Sequence, residues 1–491
     1  MIAIGSVDLP AGKNAWVARA DGNASDAANW SENRVPLATD EILLDLFSNA
    51  VLTWDAGVND LPTNVASWTQ TAAYTNRVTI PTLRTGAFTA FVVDGNAVLE
   101  GGSWWRAGNA SDDGNTAKVW LNIVVGGDLT AGEAFVFDGE NAGYPRRTGF
   151  SAGADTAGGA AHGGLGGAAP YGYGTTYGSC REPDTLGSGS YTSPYGGGGA
   201  ILLKVLGDFV LDGTINANGA QTGPSCGAAG GSVWIQADTL SGAGVITAWG
   251  GNTSNKRPGG GGGRIAIHLA DQAATFTSFT NAFTGAISAR GGSSINTDTS
   301  FTHTPGAAGT VYVETPADNG VGHLRLVNGA GDWMIGSSVV TKYNVWGDAT
   351  IHDETWNLAS LVLAKAGRIG IAAGATLHLP TYAAILSDGH AQNAIRFDDG
   401  GTLVSDIQYE NLVVRDFNVE AYGTNTFAAS LLVRAPAMLK VDGEFTLGGL
   451  SLDGIRVPTG THDAASLGDR VSGAGTVHVV GTKQATVIVV R

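Results

Sequence analysis

The sequence predicts an all-β fold whose middle third winds as a glycine-rich parallel β-solenoid (β-helix), preceded by a small N-terminal β domain. Three observations carry that reading. Apolar runs such as AILL and VIVV are strand-sized, and helical periodicity is absent from the opening segment. Glycine is concentrated, with 47 of the 75 glycines lying between 126 and 331. Strand-like segments recur near a fixed period in that same stretch, as stacked coils require.

Composition sets the outer limits. A chain of 491 residues exceeds one ordinary core, so two to four domains or one elongated repeat structure is expected. Charged residues make up 14%, below the roughly 25% of average domains. No window approaches the ~18 apolar residues of a spanning helix, and no membrane insertion is expected. Net charge is −16 with no basic stripe, which argues against nucleic acid. The eight lysines argue against an anionic membrane surface. Glycans, another uncharged cell-surface polymer, or further copies of the chain in a homo-oligomer or fibre are the expected partners. The opening MIAIGSVDLP lacks the basic start and long apolar stretch of a secretory leader. The chain is therefore expected as a mature form, or as part of a particle that leaves the cell another way.

Residues 1–115 read as a head domain in which EILLDLF, NRVTI and TAFVVDG alternate with turns. Trp16, Trp30, Trp54 and Trp68 are expected to be core anchors. Trp104 and Trp105 are adjacent on a strand and face opposite sides, so one of them is exposed or covered by a neighbour. Asp21 and Asp26 of DGNASD, with Asp40, are the candidate calcium ligands. They lack the spacing of a known calcium loop, so a turn is the preferred reading and no other cofactor is expected.

Residues 116–331 form the repeat. AILLKV from Ala200, SVWIQA from Ser232, RIAIHL from Arg264 and TVYVET from Thr310 superpose without gaps, the first three starting 32 residues apart. Second strands follow at GTINANG, GVITAWG and GAISARG. Alternation turns Ile201, Leu203, Val205, Val233, Ile235, Ile265, Ile267, Val311 and Val313 inward, each larger aliphatic contributing about 1.5–3 kcal/mol. Glycine is expected at the coil corners, where it supplies positive φ and lets coils approach closely. Residues 140–199 interrupt the period. There Tyr171, Tyr173 and Tyr177 interleave with Gly, Ser and Pro, the composition of adaptable recognition loops. Cys180 and Cys226 follow equivalent strands of neighbouring repeats, so a disulfide is sterically reasonable, the alternative being two separate thiols. The bridge would close a loop of ~45 residues and contribute roughly 4 kcal/mol. Residues 332–491 read as further coils with shorter turns, ending on VIVVR, an association edge if uncovered.

Two stretches carry a family resemblance. GGGGAILLKVLGDFVLDGTINANGA, GGSVWIQADTLSGAGVITAWGG and GGGGGRIAIHL resemble the glycine-rich β-helical repeats of bacterial surface proteins and of some phage tail proteins. The opening pattern Trp16, Asp21, Gly22, Asp26, Asn29, Trp30, Val35, Pro36, Asp40 resembles a head module found before such repeats, and VSGAGTVHVVG is similar to late coils of autotransporter-type passengers. The resemblance implies an extracellular, cell-surface or virion location and an adhesin, fibre or tail role. A minority of β-helix proteins are polysaccharide lyases or glycoside hydrolases.

Aligning the repeats names the outward ladders. One carries Lys204, Gln236, His268 and Glu314, with Leu202, Trp234, Ala266 and Tyr312 two residues earlier. A catalytic alternative takes His268 as base beside Glu314, with Lys204 stabilising charge, while a solvated face is the default for such a ladder. Asn218, Trp249 and Arg290 are a better candidate for binding, because an indole stacks on sugar and the flanking groups donate hydrogen bonds, the alternative being that the long tyrosine loop covers Trp249. The leading expectation is therefore a non-enzymatic structural or adhesive protein, with a polysaccharide-degrading enzyme as the alternative.

Overall fold

The computed structural model describes residues 12–109, 116–152, 158–167, 174–191, 195–221, 226–253, 257–294, 305–328, 349–351, 355–371, 375–391, 393–398, 400–407 and 410–481. The protein is mostly β, 43% strand against 6% helix, and its sheets are built chiefly from parallel pairs. None of the helices among the described residues is long and apolar enough to cross a membrane.

Two parallel sheets share the first apolar core. The first sheet runs through Lys13–Ala15, Glu41–Leu44, Ser67–Gln70, Ala97–Trp105, Leu129–Asp138, Thr214–Asn216, Val245–Thr247 and Ala286–Ser288. The second runs through Asn64–Val65, Phe91–Val93, Leu121–Val125, Ala200–Val205, Ser232–Ala237, Arg264–Leu269 and Thr310–Glu314. The ladders cross the boundary expected near 115, because Leu129–Asp138 pairs with Ala97–Trp105 and Leu121–Val125 with Phe91–Val93. One buried cluster extends from Trp16 to Val313.

The register is the one the repeat alignment predicts. Leu202 pairs with Trp234, Trp234 with Ala266 and Ala266 with Tyr312; Lys204 pairs with Gln236, Gln236 with His268 and His268 with Glu314. Their inward neighbours Ile201, Val233, Ile235, Ile265 and Ile267 are fully buried. The tryptophans anchor the core as expected. Trp16, Trp30, Trp54, Trp68 and Trp104 meet edge to face in sequence, with centroids 5.2, 6.3, 5.8 and 5.5 Å apart. Their indole N–H groups are satisfied locally, as where Trp30 donates to the Ala24 carbonyl at 2.8 Å.

The second sheet then changes sides. Thr310–Glu314 pairs antiparallel with His323–Val327, and Ser360–Ala364 and Ile385–Ser387 continue parallel to the latter. Val311 and Val313 belong to the first core, whereas Tyr312, Leu324, Leu361 and Leu363 belong to a second one on the opposite face. That second core is completed by a third sheet, including Arg368–Ile371, Ala394–Phe397, Asn418–Val433, Leu439–Leu452 and Thr476–Val479. Gly460–Asp463 lies antiparallel along Thr476–Val479 and covers that edge. The terminal VIVVR lies outside the described residues.

The glycine runs do something other than turn corners. Gly260 and Gly263 donate to the carbonyls of Gly251 and Ala248 on one neighbouring segment; between them, Gly261 donates to Ala160 and Gly262 to Ala307 on two others. Gly306 and Gly309 likewise both reach the segment of Gly292 and Ala289, while Ala307 donates to Leu165. Bonding that repeats every three residues is the property of an extended three-fold helix, not of a flat strand. Gly259–Gly263 do not have positive φ. They are glycine because a Cβ at Gly261 would collide with the Gly164 carbonyl, and one at Gly260 with that of Ala228. The 140–199 insertion supplies segments of this bundle through Ala160, Gly164, Leu165 and Ser188.

Candidate functional site

The outer face of the first sheet is assembled by alternation. Trp104 is buried, so Trp105 points outward, in register with Asp138, then Asn216, Thr247 and Ser288 on successive strands. The Arg77 guanidinium lies 4.2 Å over the Trp105 ring. Burial pushes the Asp138 carboxyl above the usual carboxylate range. The exposed Glu140, two residues on, accepts from Asn216 Nδ2 at 3.0 Å.

The predicted trio lies one step further along the same face. Asn218 Oδ1 accepts the Trp249 backbone N–H at 2.6 Å, and the Arg290 guanidinium stacks 4.0 Å over the half-buried Trp249 ring. Asn218 and Arg290 are buried, with 8% and 5% exposure, so they brace the indole more than they face solvent. Arg290 Nη1 also donates to Asn252 Oδ1 and to the Gly291 carbonyl, and burial lowers its pKa to about 10. The structure thus brings Asn218, Trp249 and Arg290 together, as a self-braced aromatic platform. Arg77 and Asp138, which the repeat alignment did not reach, belong to this face; Trp105, the second of two adjacent tryptophans, was the available signal.

The ladder of His268, Glu314 and Lys204 was expected to be a solvated outer face; Lys204 is exposed, but His268 and Glu314 are half-buried, and the ladder two residues earlier is largely covered. Ala266 and Tyr312 are fully buried and Leu202 is 8% exposed. The second core and the insertion cover this side: Arg181 places its carbonyl 2.7 Å from His268 Nε2 and its guanidinium 5.6 Å over Tyr312. The Tyr312 hydroxyl donates to Glu314, while Lys204 sits exposed two ladder steps from His268. The three side chains do not converge on a common point of solvent.

In the insertion, Tyr171 and Tyr173 lie outside the described residues. The Tyr177 hydroxyl is spent on the Leu186 carbonyl and Ser188 Oγ, both at 2.7 Å, and its carbonyl accepts from Arg264 Nε at 2.8 Å. Beside it His162 is fully buried, its Nδ1 2.7 Å from the Gly230 carbonyl and its Nε2 2.8 Å from Thr185 Oγ1; burial lowers its pKa to about 3. Tyr177 and His162 therefore fasten the insertion to the glycine bundle. Cys180 and Cys226 are both buried, Cys180 in the cluster that contains Ala266 and Tyr312.

Asp21 and Asp26 line an open cleft of about 1130 Å³ at the N-terminal end, together with Asn23, Asn29 and Asn59. Asp26 accepts the Ala28 N–H, which is turn geometry, and Asp21 accepts the N–H of Val51 on a distant segment. Asp40 is held instead by Arg34 at 2.7 Å and by Asn14 and the Leu37 N–H, and these contacts keep its carboxyl below the usual range despite burial. Among the described residues no group of three metal-ligating side chains comes together. No family model matches this chain, and neither a curated protein nor a solved structure matches it.

Proposed function

We propose that the chain is a glycine-rich parallel β-solenoid acting as a structural or adhesive protein outside the cell, on a cell surface, in a fibre or on a virion. It binds glycans through the outer face of its first sheet. The observation that supports this most is the pair of outward tryptophans on that face, Trp105 and Trp249, each backed by a guanidinium at 4.2 and 4.0 Å. An indole braced in one orientation stacks on the apolar side of a sugar ring with little ordering cost. Asn216 and Ser288 add hydrogen-bonding groups along the same ladder, with Glu140 beside Asn216. The parallel pairing of successive strands supports the solenoid, and the likeness of its repeats to surface proteins supports the location.

The polysaccharide-degrading alternative draws less support, because His268 and Glu314 are already engaged beneath the Arg181 segment. The test is affinity electrophoresis of the full chain through gels carrying neutral polysaccharides, with light scattering in parallel. Retardation by at least one polymer, weakened about tenfold or more in Trp105→Ala and Trp249→Ala, is the expected result. A chain that passes every gel unretarded and stays monomeric at all concentrations overturns the reading. Shortened polymer would turn it toward the enzyme.

A further inference from the structure

Where the second sheet reverses, its polar side carries a constellation unrelated to the binding face. His323 and Ser360 are paired neighbours on parallel strands, and Ser360 Oγ lies 2.7 Å from His323 Nδ1. His323 Nε2 lies 3.2 Å from Asp318 Oδ1. The other Asp318 oxygen accepts from Thr315 N–H at 2.8 Å and Thr315 Oγ1 at 2.9 Å, which caps the short turn Pro316–Asp318 and stops the carboxylate from swinging. The ring of Phe276 stacks on the imidazole at 3.9 Å and 24°. His323 and Asp318 keep side-chain exposures of 16% and 10%, so the group is sheltered without being sealed.

The contacts fix the tautomer. An ionised carboxylate only accepts, so His323 Nε2 carries the proton and Nδ1 presents its lone pair to the Ser360 hydroxyl. Nucleophile, base and orienting acid are thus connected in the order that activates a serine, recognised by role and not by which ring nitrogen each uses. Arg325 follows two residues after His323 on the same face, one diagonal step across the ladder from Ser360. It is half-buried and makes no hydrogen bond or ion pair among the described residues.

We propose that Ser360, His323 and Arg325 form an acyl-transfer site that hydrolyses small carboxylic esters, with Asp318 as the positioning residue. Ser360 Oγ bonds to the acyl carbon while its proton passes to His323 Nδ1, and Arg325 faces the negative oxygen of the tetrahedral intermediate. The intermediate collapses, the C–O bond to the alcohol breaks, and His323 returns its proton to the departing alkoxide. Water then attacks the acyl-serine with His323 again taking a proton, which restores Ser360 and releases the acid. This adds an activity to the scaffold and does not depend on glycan binding.

The test treats the full chain with a fluorophosphonate probe and with p-nitrophenyl acetate. Expected are one label per chain at Ser360 by peptide mass, none in Ser360→Ala, and labelling slowed at least ~100-fold in His323→Gln. Thermal melts of these variants should match the parent, which separates lost chemistry from lost fold. Asp318→Asn should lower kcat with KM unchanged, and Asp318→Glu should recover part of the loss. Absence of label in the folded parent, or label undiminished in Ser360→Ala, overturns the proposal. An Asp318→Asn chain as fast as the parent, or no recovery in Asp318→Glu, overturns the role of Asp318.

Discussion

Arg290 lays its guanidinium 4.0 Å above the indole of Trp249, while the Trp249 backbone N–H is held by Asn218 at 2.6 Å. Three successive ladder positions therefore brace one another. With Arg290 5% exposed, the stack is desolvated, where such a contact contributes about 2 kcal/mol. Arg290→Ala is expected to lower unfolding stability by about 2–3 kcal/mol, counting its hydrogen bonds. Arg290→Lys should recover only part, because an ammonium lacks the flat fork. Urea midpoints of the variants check this.

The buried His162 makes stability depend on pH. Its folded pKa, lowered to about 3, lies below the unfolded value near 6.5, so between these values the unfolded chain binds the extra proton. The stabilisation is complete above about pH 6.5 and declines as pH falls, by about 1.4 kcal/mol per unit. Melting temperatures measured from pH 7 to 4.5 should fall steadily, and His162→Asn should flatten that slope while lowering stability at pH 7.

Glycine 261 tests the three-direction bundle. A methyl group there meets the backbone of Gly164 and Leu165, which cannot step aside without breaking bonds to Gly262 and Ala307. Gly261→Ala is expected to cost about 3 kcal/mol or more. Gly86→Ala, at φ 114° with open space around it, should cost about 1 kcal/mol from backbone preference alone. Denaturant midpoints compare the two directly.

Trp68 sits at the centre of the aromatic chain, 5.8 Å from Trp54, 5.5 Å from Phe91 and 5.5 Å from Trp104. Trp68→Ala should cost about 3–5 kcal/mol, the loss of a large ring that neighbours cannot replace. Trp105→Ala, on the outer side of the sheet, should cost far less stability. A calorimetric series on both variants separates core from surface.

Much of this was legible in the chain. A ladder such as Ile201, Val233 and Ile265 repeats its chemistry at a fixed spacing of 32 residues, and the register followed directly. Alternation, however, reports only that one side of a strand faces a core. It is silent on whether the other side is covered from afar, and so Tyr312 and Ala266 read as outward while Arg181 and the second core bury them. The reversal after Glu314 is equally hidden, because a single antiparallel pairing leaves the period of the flanking strands unchanged. Ser360 and His323 meet in the parallel pairing that follows it, across 37 positions with no repeat to align them. The glycine bundle had a signal that corners do not explain: five consecutive glycines at 259–263 forbid a Cβ in every direction at once.

That bundle also constrains how such a chain can change length. Because its bonds are addressed in threes, inserting one residue into Gly259–Gly263 would rotate everything downstream by about 120°, handing each N–H to the wrong neighbour. Only insertions of three leave the addresses intact, so length variation within the runs should be quantised.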